Sequence, residues 1–203
     1  KEDFKNRVSC YSFYAVKNMT TIRGGMVATN SREEFDFYQK ACHGGLTKDT
    51  LARYAGRENA DDPSSFYWEV EFAGWNFDMT DIEAAIGRKQ LLKVEKFNRR
   101  RNLIVDTYNR AFKLKNTGNH LYPILVENRD EFLVAMRKVG INLGIHYLPL
   151  HKMSAYKKYR SEDLKNSEFI GERCVSLPLY PRLTEAEINS IIKNTLKCAK
   201  FSK

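Results

Sequence analysis

From Thr80 to Phe112 the apolar residues Ile82, Ala85, Ile86, Leu91, Val94, Phe97, Ile104, Tyr108 and Phe112 recur at the three- and four-residue intervals of one helical face. Thr80 and Glu83 stand at capping-box spacing, so the helix is predicted to begin near Thr80. About 33 residues at 1.5 Å rise reach roughly 50 Å, more than one small domain needs. A helix of that reach often bridges two domains. Gly118 is read as the end of this segment.

The flanking segments are shorter and mixed. Val8 to Tyr14 and Met26 to Thr29 read as strands, separated by the polar turn Lys17-Asn18-Met19-Thr20-Thr21 and by Gly24-Gly25. Ser31 to Ala41 reads as a helix with acids in its first turn. Residues 43–75 are irregular, with Gly44, Gly45, Gly56 and the turn-like Asp61-Asp62-Pro63-Ser64-Ser65. Beyond the long helix, His120 to Val126 and Ile141 to Leu148 are predicted strands, and Asn128 with Glu131 frames a helix that Gly140 stops. A loop through Pro149, His151 and Tyr156 leads to a helix over Ser167 to Val175. Thr184 with Glu187 caps the last helix, which carries Ile188, Ile191, Ile192 and Leu196.

Composition narrows the function classes. With 12% aromatic residues and no low-complexity tract the chain is not a disordered one. No apolar run approaches the roughly 20 residues that cross a bilayer, so no membrane partner is expected. The start, Lys1-Glu2-Asp3-Phe4-Lys5, does not read as a signal peptide and lacks an initiator Met. Thirty-four Lys and Arg against 25 Asp and Glu leave a net charge of +9, which favours anionic partners without choosing among them. The densest basic run, Arg99-Arg100-Arg101, falls within the helical pattern and reads as a solvated face. No RNA-binding or zinc-finger signature accompanies it, and a nucleic-acid partner is not expected. Cys10, Cys42, Cys174 and Cys198 form no C-x-x-C pair and no metal-like group. They read as small core residues in a reducing cytoplasm, with no metal site.

Lys17 is the residue with chemical promise. A lone lysine is usually a solvated surface group, but this one follows the aromatic, hydroxyl-bearing strand Tyr11-Ser12-Phe13-Tyr14 and opens a polar turn. An amine at the mouth of a strand is placed to attack a carbonyl compound. Ser12, five residues earlier, offers a hydroxyl to a phosphate.

Four segments in order carry a resemblance. Ser12-Phe13-Tyr14-Ala15-Val16-Lys17-Asn18-Met19-Thr20-Thr21, followed by Gly24-Gly25, resembles the S-F-H-x-x-K-N-x-T-x-G-E-G-G pattern of the DegT/StrS-type sugar aminotransferases, fold-type-I enzymes dependent on pyridoxal 5′-phosphate (PLP). Gly74-Trp75-Asn76-Phe77-Asp78-Met79-Thr80-Asp81-Ile82-Glu83-Ala84-Ala85-Ile86-Gly87, with Gln90-Leu91, is similar to the family's G-Y-N-Y-R-M-T-D-x-x-A-A-x-G…Q-L. His146-Tyr147-Leu148-Pro149-Leu150-His151 and Ser176-Leu177-Pro178-Leu179-Tyr180-Pro181 resemble its small-domain signatures.

The resemblance implies an α/β fold: residues 1–112 as the C-terminal part of a PLP large domain plus the connecting helix, and 113–203 as a small α+β domain. It implies an aminotransferase that moves an amino group from glutamate to a nucleotide-linked keto-sugar in polysaccharide or glycan biosynthesis. Lys17 would bond covalently to PLP and shuttle a proton, Ser12 would bind the cofactor phosphate, and Asn76 would reach that phosphate from the neighbouring subunit of a homodimer with a shared active site. His146, Tyr147 and His151 would lie near the sugar nucleotide, or else serve packing and loop hydrogen bonds. The sequence departs from the pattern at Tyr14 for His, at Ile22-Arg23 for Gly-Glu and at Asp78 for Arg. Family members carry a long portion before this lysine, so the chain reads as a C-terminal fragment that needs a missing N-terminal half and is inactive alone. The competing reading is a non-catalytic structural fragment or a relative that has lost activity.

Overall fold

Local sequence chemistry sets each element of the computed structural model, which describes residues 7–47, 67–159 and 164–202. Gly56 and the turn at Asp61 to Ser65 lie outside the described residues. The chain divides into two compact units, residues 1–94 and 95–203.

In the first unit, β1 (Ser9–Ser12) and β2 (Gly25–Ala28) pair antiparallel, with Ser12 opposite Gly25 and Ser9 opposite Ala28. Ser31 starts α1 (Arg32–Cys42), its Oγ accepting from the Glu34 N–H at 3.2 Å, while Glu33 and Glu34 complement the helix dipole. The segment after α1 folds back on the helix end. Trp75 N–H donates to the Ala41 carbonyl at 2.8 Å, Phe77 N–H to Cys42 at 2.9 Å, and Gly44 N–H to Trp75 at 2.8 Å. Gly74 permits this approach, since a Cβ there would meet the backbone of Gly44, Gly45 and Ala41. The capping box at Thr80 forms as predicted: Thr80 N–H reaches Glu83 Oε2 at 2.9 Å and Glu83 N–H reaches Thr80 Oγ1 at 3.3 Å. It opens α2 (Asp81–Phe112), the long helix of the sequence pattern; the division between the units falls along it, after Val94.

The second unit has a packed core. From α2, Ile104, Tyr108 and Phe112 recur every four residues and are buried. Tyr122, Ile124 and Val126 alternate inward along and just past β3 (Tyr122–Leu125). Phe132 and Met136 come from α3 (Arg129–Lys138), Val175 and Leu177 from β4 (Cys174–Leu177), and Ile188 and Ile191 from α5 (Glu185–Cys198). Each such side chain contributes roughly 1.5–3 kcal/mol by leaving water. β3 and β4 are antiparallel, with Tyr122 opposite Leu177. Bridges extend the pair at both edges, Val126 to Phe201 and Gly144 to Ser176. A helix α4 (Lys165–Arg173) and two short 3-10 turns, Leu150–Lys152 and Ser154–Tyr159, complete the unit.

Several sequence expectations change here. Ile141 to Leu148 is not a strand: only Gly144 pairs, exchanging hydrogen bonds with Ser176 at 2.7 and 3.1 Å. The helix expected over Ser167 to Val175 ends at Arg173, because Cys174 to Leu177 pair with β3. α2 stops at Phe112, not Gly118: Lys113 is left-handed (φ 56°), and Asn109 binds both the N–H and the carbonyl of Asn116. Asn128 precedes α3 without capping it, because its side chain binds Lys200 N–H and the Cys198 carbonyl. The Arg99 to Arg101 run is not one solvated face: Arg100 donates to Leu183 O at 2.6 Å and pairs with Glu185 at 2.8 Å, and Arg101 is buried. Of the four cysteines only Cys174 is buried, and all four are free thiols.

Candidate active site

The loop that carries Lys17 is fastened at its base by one residue. Phe13 donates its N–H to Gly24 O at 2.9 Å and accepts at its carbonyl from Thr21 N–H at 2.9 Å and Thr20 Oγ1 at 3.0 Å. Lys17 N–H closes a turn onto Tyr14 O at 2.9 Å. Thr21 is buried and its hydroxyl donates to the Arg23 carbonyl. Gly87 of α2 lies under this loop: a Cβ there would come within 2.9 Å of Thr21 Cγ2. Gly24 takes φ +115°, where L side chains are strained, and a Cβ there would also press on Met79 at 3.0 Å. The lysine motif and the Met79 to Gly87 motif, far apart in sequence, are thus packed on each other.

Lys17 itself is half-buried and makes no ion pair among the described residues. Ser12 is exposed at the end of β1, its Oγ accepting from Tyr14 N–H at 3.4 Å. Asn76 bridges antiparallel to His43 and lines a cleft of about 600 Å³ with Gly24, Gly25, Arg23, Asp78 and Glu83. Lys17 and Ser12 are not part of that lining. Trp75 and Phe77 stack on each other at 5.9 Å and remain exposed.

One pair here escaped the sequence reading. His43 Nδ1 and Asp78 Oδ2 lie 2.7 Å apart, while His43 Nε2 is buried with no hydrogen-bond partner among the described residues. Thirty-five residues separate them in the chain, and no local spacing signals the contact. Glu83, the capping residue, is held below the usual carboxylate range, first by the Thr80 backbone and hydroxyl and least by Arg23.

The small-domain candidates belong to the second unit. His146 Nδ1 meets Ser176 Oγ at 2.9 Å, and a Cβ on Gly144 would strike its ring. His151 Nε2 pairs with Glu168 at 3.0 Å. Both histidines therefore hold the loop between Gly144 and α4 in place. Tyr147 packs edge-on against His146 at 4.9 Å and is exposed. Burial raises the Cys174 thiol's pKa, and its Sγ approaches His146 O at 3.6 Å.

The lysine loop, the glycine-bearing helix start and the asparagine-lined cleft all fall within the span matched by one family's pattern. The chain belongs to the DegT/DnrJ/EryC1/StrS aminotransferase family, whose pattern matches residues 4–196. Among its relatives, the spore coat polysaccharide biosynthesis protein SpsC of Bacillus subtilis is 30% identical over 91% of this chain and 52% of its own length. The structure of Helicobacter pylori PseC, an aminotransferase involved in the biosynthesis of pseudoaminic acid, superposes with a TM-score of 0.79 at 28% identity, covering 96% of this chain and 56% of that one. Spr1654 from Streptococcus pneumoniae, in its PLP form, superposes at 0.74 with 26% identity over 92% and 50%. The chain spans about half the length of the curated relatives it matches.

Proposed function

We propose that this chain is the lysine-bearing portion of a PLP-dependent sugar aminotransferase that transfers an amino group from glutamate to a nucleotide-linked keto-sugar, for polysaccharide or glycan assembly in the cytoplasm. The family match with Lys17 retained at the lysine of the motif carries this reading. The residues present fit the cofactor by their donor chemistry. Lys17 supplies an amine that no carboxylate claims among the described residues, Ser12 a hydroxyl whose proton is free to be donated, and Asn76 an exposed amide. Neutral donors suit a phosphate whose charge is already in place.

PLP, when bound, supplies the electron sink that lets an amino group pass between carbons. Lys17 Nζ would hold the cofactor and would be the group that moves a proton to and from the reacting carbon. The Phe13 hydrogen bonds fix the loop that carries the amine. Asn76 lines a cleft that excludes Lys17 and Ser12, as suits an asparagine that serves the phosphate of a second subunit in a homodimer. His146, Tyr147 and His151 shape the sugar-nucleotide side, the two histidines by orienting the loop and Tyr147 by its exposed ring. In this reading residues 1–112 are large domain plus connecting helix and 113–203 the small domain.

The first unit exposes Val8, Tyr11, Met26, Val27, Phe35 and Trp75, and a two-stranded sheet is marginal by itself. That favours activity in an assembly that supplies the remainder of the fold, with the 203-residue chain inactive alone. Borohydride reduction of the PLP-loaded full-length protein, followed by peptide mapping, tests the assignment. A pyridoxyl label on Lys17 is expected, and a label elsewhere or nowhere rejects it. Saturable PLP absorbance in the isolated chain would instead reject its inactivity.

A further inference from the structure

His43 closes α1 as its C-cap, its N–H donating to Lys40 O at 3.0 Å. It stands opposite Asn76 in an antiparallel bridge. Directly opposed residues share a face of such a pairing, and the second residue along shares it too. His43, Asn76 and Asp78 therefore lie on one face, and the 2.7 Å contact from His43 Nδ1 to Asp78 Oδ2 is its diagonal. An ionised carboxylate only accepts, so Nδ1 carries the hydrogen. Asn76 and Asp78 line the same cleft, and the Asn76 amide is bound by no other described residue. Of the other charged side chains on that cleft, Arg23 has the sign that suits an anion. Glu83 is engaged in the helix cap, its Oε2 accepting from Thr80 N–H and Thr80 Oγ1 at 2.9 Å. Asp78, with its side chain 53% exposed, is held by His43 alone among the described residues. The family pattern has Arg at this position, so here an anion stands beside Asn76 where a cation is usual.

We propose that His43 is a positioning residue for the cofactor phosphate: by holding the Asp78 carboxylate toward the end of α1, it keeps that anion off the Asn76 amide. The proposal deepens the aminotransferase reading and rests on it, including the place of Asn76 at the phosphate. A carboxylate two residues away is an intramolecular competitor for an amide donor, and its effective concentration is high. The N–H of His43 removes this competition with a charge-assisted hydrogen bond. The amide then stays open to a phosphate from solution.

The test compares, in the full-length protein, the dissociation constants of PLP and of pyridoxal, which lacks the phosphate, by absorbance titration. Their ratio reads the phosphate contribution alone. His43→Phe keeps a ring and removes the donor, and should lower the preference for PLP by about tenfold; His43→Ala serves if that ring does not fold. His43→Asn, whose amide nitrogen can take the place of Nδ1, should stay within about threefold of the parent. His43→Phe/Asp78→Ala should also recover to within about threefold, because the competing anion is gone. A merely structural role predicts the reverse: a double variant at least as weak as His43→Phe, and pyridoxal binding that falls in step with PLP binding. Either result overturns the proposal, as does an unchanged preference in His43→Phe. Asn76→Ala should lose the preference by itself, and adding His43→Phe to it should change nothing more; a further fall beyond about threefold also overturns the proposal. Borohydride trapping at Lys17 in the same samples reads the aminotransferase assignment separately. A labelled Lys17 with an unmoved preference rejects the positioning role alone, whereas an unlabelled Lys17 rejects the reading beneath it.

Discussion

Replacing Gly74 by alanine tests how the cleft is built. The new Cβ would lie against the Gly45 nitrogen, 2.7 Å from the Gly44 carbonyl carbon and 2.8 Å from the Ala41 oxygen. All three are backbone atoms and cannot rotate aside, so the segment that holds Asn76 must separate from the end of α1. Overpacking of this kind costs about 1–3 kcal/mol. Separation also weakens the two 2.8 Å hydrogen bonds that link Trp75 with Ala41 and Gly44, each contributing about 1 kcal/mol. The sum is about 3–5 kcal/mol, and with a urea dependence of about 2 kcal/mol per molar the midpoint should fall by about 1.5–2.5 M. Trp68 and Trp75 are the chain's two tryptophans and both lie in residues 1–94, so their emission reports that unit by itself. Gly118→Ala, where the new Cβ would meet no described residue within 4 Å beyond its chain neighbours, is the control. A Gly74→Ala midpoint within about 0.3 M of the parent would show that the strand-like zipper at Ala41 to Phe77 does not constrain this position.

The second unit gives a pH prediction. Burial pushes the Tyr122 phenol up to about 12, above an unfolded value near 10. The folded state thus holds this proton more tightly, and the stabilisation is complete below about pH 10 and lost as pH rises toward 12. Urea midpoints followed by far-UV circular dichroism should decline over that window, and less steeply in Tyr122→Phe; equal slopes would contradict the burial argument. Thr184→Ala removes the cap of α5, whose hydroxyl accepts from Glu187 N–H at 3.2 Å, and should cost about 1 kcal/mol. The Glu187 carboxyl is held low first by the Thr184 backbone N–H and then by its hydroxyl, so the same variant, which keeps the N–H, should move it only part of the way toward its ordinary range in a carbon-13 titration. An unshifted Glu187 after Thr184→Ala would show that the hydroxyl contributes nothing. In the PLP-loaded full-length protein, Lys17→Ala should abolish the borohydride-trapped adduct while leaving the urea midpoint near the parent's; retained adduct would move the covalent role to another lysine.

What the sequence determined by itself was local. α2 was legible because its apolar positions repeat with the helix and Thr80 and Glu83 announce its start within four residues; Thr184 and Glu187 do the same for α5. The lysine motif was legible because its chemistry is concentrated in one turn. Only tertiary structure decided features whose partners lie far along the chain. Cys174 to Leu177 became a strand because Tyr122 to Leu125 offered hydrogen bonds. Asn128 left its cap for Lys200, and Lys113, not Gly118, ended the long helix once Asn109 had captured Asn116. The His43–Asp78 pair and the shared cleft of Arg23 and Asp78 follow from the fold-back of the segment after α1. Periodicity and capping are written within a few residues, whereas the choice of a hydrogen-bond or charge partner depends on which distant groups the packed backbone brings within about 3 Å.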